Sequence, residues 1–204
     1  MGKEAATRYP IHPLLQQRWS PRAFSDRMVE KDKLLSLLEA ARWAPSSFNE
    51  QPWSFILATK DNRVDYERLL RCLVDGNIQW AQQAPLLMLS VAKLHFDHNG
   101  KPNRHAFHDV GLAAANLIIQ ASVLGLYVHQ MAGFHLDRAR EAFQIPDSAE
   151  PVAAMAVGYL GDPQQLADEL RDKESAPRTR KPLSDFVFSG AWSRPSPLLN
   201  DQVH

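Results

Sequence analysis

A chain of 204 residues with 45% hydrophobic content can bury a sizeable core, which excludes an intrinsically disordered protein. Its 23 basic residues balance its 23 acidic ones, which argues against a general nucleic-acid binder and asks a local explanation for any local cluster of cations. The opening MGKEAATRYP lacks an apolar core region, and no run of about 18 apolar residues follows, so neither secretion nor membrane spanning is expected.

The first element predicted is a helix over 31–44, KDKLLSLLEAARWA, with Leu34, Leu37, Leu38 and Ala41 at helical spacing and Pro45 as its stop. SFILAT (54–59) reads as a strand, followed by a polar turn and a helix over roughly 62–74. PLLMLSVAKL (85–94) is almost wholly apolar, as a strand covered on both faces requires. Residues 105–125 form the longest helical pattern, rich in small residues that permit close packing, with Gly125 as its stop. LYVHQ (126–130) is a weak strand, DRAREAF (137–143) a short helix and PVAAMAVGYL (151–160) a buried strand. Beyond Asp162 the chain turns polar and proline-rich. A structureless tail of about 40 residues is unusual, so this segment is expected to wrap another surface, in a homodimer the partner subunit. No repeat or linker divides the chain, and one α+β domain over 1–204 is expected, with a C-terminal extension from about 163.

Two stretches carry the chemistry. RWSPRAF (18–24) holds two arginines on a segment that Pro21 keeps from being helical. By itself this is a solvated turn. APSSFNEQPW (44–53) offers hydroxyls, amides and free backbone groups between a helix and a strand. It is either a polar connection or a loop that hydrogen-bonds a ring-bearing ligand.

Taken together, R-x-S-x-R-x-F followed by A-P-S-S-x-N-x-Q-P-W resembles the opening of the nitroreductase family of flavin enzymes. VDGNIQWAQQAPLLMLSVA (74–92), DVGLAAANLIIQASVLGL (109–126) and RTRKPLSDFVF (178–188) resemble three later segments of that family, in its order. The resemblance implies a three-layer α-β-α fold, with a central mixed, mostly antiparallel sheet covered by helices and a tail wrapping the partner subunit. It implies a homodimer with FMN at the interface, NADH or NADPH as electron donor and a small electrophilic acceptor such as a nitroarene or quinone. Arg18, Arg178 and Arg180 would clamp the phosphate, with Trp19 beside them and Ser20 bonding the ribityl chain. Arg22 would sit by the pyrimidine edge and stabilise charge that arises on reduction, the nearest thing to a catalytic side chain. Pro45, Ser46, Ser47 and Asn49 would reach the same flavin from the other subunit, and Asn77 would face its pyrimidine edge. Ala132 stands where some members have glutamate, but the N–H groups of Ala132 and Gly133 could still bond flavin N5. The resemblance also admits a dehalogenase, a dehydrogenase or a flavin-destroying enzyme on the same fold, or a non-catalytic FMN store or sensor.

His95, His98, His105 and His108 cluster before the long helix, but no cysteine or carboxylate triad accompanies them, so no metal site is expected. With Phe96 and Phe107 they could shape substrate access. The single cysteine, Cys72, excludes an internal disulfide, fits a reducing cytoplasm and reads as an inert core thiol.

Overall fold

The computed structural model describes residues 3–199. Its centre is a sheet of four strands: β1 (Trp53–Thr59), β2 (Leu86–Lys93), β3 (Tyr127–Met131) and β4 (Ala149–Gly158). They lie in the order β1-β2-β4-β3, and every pair is antiparallel. The expected mixed sheet is therefore wholly antiparallel among the described residues. Around it pack α1 (Pro13–Gln17), α2 (Lys31–Arg42), α3 (Arg63–Leu70), α4 (Asp75–Ala81), α5 (Ala106–Val123), α6 (Leu136–Ala142) and α7 (Asp168–Ser175).

The period-2 alternation of strands sorts side chains into two cores. Leu86, Met88, Met155 and Val157 face Leu37 and Ala41 of α2 and Ala113, Leu117 and Ala121 of α5. Leu87, Leu89, Ala154 and Ala156 face the other way, against Tyr66, Leu69 and Trp80 from α3 and α4 and Ala139 of α6. This is the three-layer arrangement expected, and it explains why β2 reads as one apolar run: both of its faces are covered. A register shift at Ser90/Val91 interrupts the β2–β4 ladder. There the Ser90 hydroxyl donates to the Ala153 carbonyl (3.1 Å) and accepts from the Ala153 N–H (3.2 Å), so the backbone groups of Ala153 keep partners beside the bulge.

Helix α5 passes the length and composition criteria for crossing a bilayer, yet one side of it packs into the core. Its other side exposes Phe107, Gly111, Ala115 and Val123. Three helices were not expected from the sequence: α1, α4 and α7. The last gives the beginning of the extension beyond Asp162 a helix of its own. Residues 163–178 fold back onto their own chain, burying Leu166 and Glu174 and donating from Arg178 to the carbonyls of Lys3 and Gln16. Farther on, Phe186, Trp192 and Leu198 are exposed.

Candidate active site

The RWSPRAF segment is fixed from three directions. Helix α1 ends at Gln17, and Pro21 prevents any continuation. From β3, His129 Nδ1 lies 2.8 Å from the Pro21 carbonyl. Burial lowers the His129 pKa to about 4, so the ring is neutral at physiological pH and donates this proton to the carbonyl. From α7, Glu174 Oε1 accepts the N–H groups of Arg22 (2.9 Å) and Ala23 (3.2 Å). From the end of β4, the Tyr159 carbonyl accepts from Ser25 and the Ala23 carbonyl accepts from Gly161, both at 2.9 Å. Gly161 is required there. A β-carbon on it would lie 2.4 Å from the Phe24 carbonyl carbon and oxygen, with no flexible side chain to give way. Phe24 itself is buried and stacks on Trp80 at 6.3 Å.

Around this frame stand the cations. Arg18, Arg178 and Arg180 line one cavity of about 760 Å³, with Ile11, Leu15 and Leu183 among its apolar walls. Arg18 donates to the Ser20 hydroxyl at 3.3 Å. Among the described residues none of the three has a carboxylate within ion-pair distance. Burial, then repulsion from Arg178 and Arg180, pulls the Arg18 pKa below its ordinary value. Three like charges around one cavity, with Arg18 and Arg178 partly buried, Arg180 exposed and no carboxylate counter-ion among the described residues, suit an anion. Arg22 differs from them. Its Nη1 lies 3.8 Å from Oε2 of the buried Glu174. Trp19 is buried with its indole N–H unpaired among the described residues and lies edge-on to Tyr127.

The second stretch forms a short 3-10 turn, Ser47–Asn49, in which Phe48, Asn49 and the nearby Gln51 all have positive φ (54°, 56° and 52°). Non-glycine residues held this way cost of order 1 kcal/mol or more each and persist only when the surroundings impose them. What imposes them here is a set of side chains. The buried Asp109 at the start of α5 accepts the Ser47 N–H at 3.0 Å, and the Ser46 hydroxyl accepts the Gln51 N–H at 3.0 Å. Glu50 accepts the Asp97 N–H at 2.7 Å, tying the turn to the hairpin that carries Phe96 and His98. Pro45, Phe48 and Asn49 remain exposed.

Asn77 and Gly133, remote in sequence, meet directly. The Asn77 amide donates to the Gly133 carbonyl at 2.9 Å, and a β-carbon on Gly133 would approach that amide to 2.6 Å. Ala132, beside it, is exposed. No hydrogen bond or ion pair among the described residues joins 18–22 to 45–49. The histidines form no metal cluster among the described residues. His98 packs with Phe48 and Phe96, whereas His108 lies 3.1 Å from Asp109. Sequence reasoning missed Glu174, His129 and Asp109. Only burial and long-range contact mark them.

The nitroreductase family model matches residues 15–159. A solved structure described as an oxidoreductase containing FMN is 39% identical and superposes with a TM-score of 0.88, covering 93% of this chain and 96% of that one. A nitroreductase family protein from Clostridium difficile 630 is 28% identical with a TM-score of 0.68, covering 87% and 96%. An uncharacterised 15.4 kDa protein of Mycolicibacterium smegmatis is 36% identical over 130 residues, 64% of this chain and 86% of that one. With the family match spanning both the RWSPRAF turn and the serine–asparagine loop, the chain belongs to the nitroreductase family, whose members are flavin-dependent oxidoreductases.

Proposed function

We propose that this chain is one FMN-dependent oxidoreductase domain that accepts hydride from NADH or NADPH and passes reducing equivalents to a small electrophilic acceptor. The observation that carries this reading is the trio Arg18, Arg178 and Arg180, without a carboxylate partner among the described residues, lining a cavity of about 760 Å³. FMN ends in a phosphate dianion, and these guanidiniums would bind it through charge-assisted hydrogen bonds of roughly 1.5–3 kcal/mol each. When bound, FMN supplies the hydride-accepting and hydride-donating centre of the reaction.

The chain's own residues do the rest. Ser20, already accepting from Arg18, would bond the ribityl chain, and Trp19 would wall it. Arg22 would present positive charge to the ring edge, where it favours the reduced state. Asn77 holds the Gly133 carbonyl, and in doing so would orient the Ala132–Gly133 backbone toward the ring. Pro45, Ser46, Ser47 and Asn49 would complete the site of a partner subunit. The exposed small-residue face of α5 and the exposed Trp192 and Leu198 support that homodimer, because apolar surface of this kind favours burial. No targeting or membrane role enters this reading, and a cytoplasmic setting fits the lone thiol.

Chromatography of the cofactor released from purified protein tests it. FMN is expected, together with steady-state NADH or NADPH oxidation driven by a quinone or nitroarene. Release of FAD, or of no flavin at all, would refute the reading.

A further inference from the structure

Glu174 is one of only two carboxylate residues that are fully buried among those described, and the other, Asp109, serves the serine–asparagine loop. A buried carboxylate costs several kcal/mol of desolvation unless its partners compensate, and an apolar side chain at the same place would avoid that cost. Here the compensation is uneven. Oε1 accepts two backbone N–H groups, those of Arg22 and Ala23. Oε2 has no hydrogen bond and faces only the Arg22 guanidinium at 3.8 Å. Lys3 is the next cation that senses this carboxylate. Four residues after Glu174, Arg178 donates to the carbonyls of Lys3 (2.7 Å) and Gln16 (2.9 Å). The segment from α7 to Arg178 therefore holds the chain before the RWSPRAF turn, at Lys3 and Gln16, and the turn itself at Arg22 and Ala23.

We propose that Glu174 is a positioning residue for the cofactor, which fixes the backbone of the turn through Oε1 and, through Oε2, partly neutralises Arg22. This rests on the flavin reading above. It assigns the two oxygens separable duties. The Oε1 contacts set the shape of the turn and so the affinity for FMN in either redox state. The negative charge beside Arg22 sets how strongly the site favours the reduced, more anionic flavin over the oxidised one.

Two variants separate these duties. Glu174→Gln keeps a carbonyl oxygen for the two N–H groups and removes the charge. FMN affinity of the apoprotein, read by quenching of flavin fluorescence, should stay within about threefold of wild type. The preference for reduced over oxidised FMN should rise about tenfold, which is about 30 mV in the midpoint potential of a two-electron couple. Glu174→Ala removes the backbone anchors as well and should weaken FMN binding by about tenfold or more, with Arg18, Arg178 and Arg180 intact. An unchanged or lowered potential in Glu174→Gln overturns the electrostatic duty, and Glu174→Gln gives that result even if the alanine variant fails to fold. Undiminished FMN affinity in a folded Glu174→Ala protein overturns the anchoring duty. Failure of the wild-type apoprotein to take up FMN is a different result, because it overturns the functional reading itself.

Discussion

Replacing Gly161 by alanine should dislodge the turn that carries Arg18 and Arg22 without touching either arginine. The added β-carbon would sit 2.4 Å from the Phe24 carbonyl carbon and oxygen and 2.8 Å from the Ser25 nitrogen. These are backbone atoms, so relief requires the 23–25 segment to move away from 159–161. That movement breaks the Gly161-to-Ala23 and Ser25-to-Tyr159 hydrogen bonds, about 1 kcal/mol each. Residual crowding around the buried Phe24 adds about 1–3 kcal/mol. Alanine restricts the unfolded chain and returns about 0.4–1 kcal/mol. The net expectation is a loss of about 2–5 kcal/mol, large against a typical total of about 5–15. Urea unfolding followed by tryptophan fluorescence measures it, and titration of the apoprotein with FMN should show weaker binding. A variant with a wild-type urea midpoint and wild-type FMN affinity would refute the claim that the end of β4 holds the turn.

Two further outcomes follow from the geometry. His129 titrates near 4 in the fold against an ordinary value of 6.5, so between those pH values the unfolded chain binds a proton that the folded chain refuses. This contribution is therefore complete above pH 6.5 and is lost as the pH falls to about 4, by at most about 3 kcal/mol. In His129→Gln, which can still donate to Pro21, that part of the pH dependence should vanish; equal losses in both proteins between pH 7 and pH 4 would contradict it. If Arg18 of one subunit and Asn49 of the other serve the same flavin, co-expressed Arg18→Ala and Asn49→Ala chains should recover roughly a quarter of wild-type activity. Random pairing makes half the dimers mixed, each with one intact site of two. Recovery no greater than that of the separate variants would exclude a shared site.

The elements legible in the sequence are those whose own residues encode their environment. Helix α2 announces itself through Leu34, Leu37, Leu38 and Ala41, and β2 through an unbroken apolar run that two covering layers explain. Helix α7, DELRDKES, shows no apolar period, because its anchor is the carboxylate of Glu174 and its partners lie far away in sequence. Helix α4 is similarly obscured by Gly76 and Asn77 near its start, and it is held by the buried Trp80. The candidate site divides in the same way. Its arginines, serines and asparagine sit in short recognisable strings. The groups that hold those strings in shape, His129, Glu174 and Asp109, carry no local signature. Each became visible only as a buried or partly buried polar side chain whose partner is 62 to 152 residues distant.

That separation has a temporal side. Arg22 and its buried counter-ion are 152 positions apart. At about 5–20 residues per second of synthesis, roughly 8–30 s pass between the appearance of one and the other. The last strand, β4, ends at Gly158, so all four strands of the sheet have been synthesised for about the last 1–3 s of that interval. The RWSPRAF turn, however, lacks the carboxylate that receives its two N–H groups and two of the three cations around its cavity. If Arg18, Arg178 and Arg180 clamp a phosphate as proposed, a nascent chain in this state can collapse around its core while having no complete clamp to fill. On that reading cofactor capture is deferred until the arrival of residues 174–180, and a chain interrupted before them would be unable to take up a flavin.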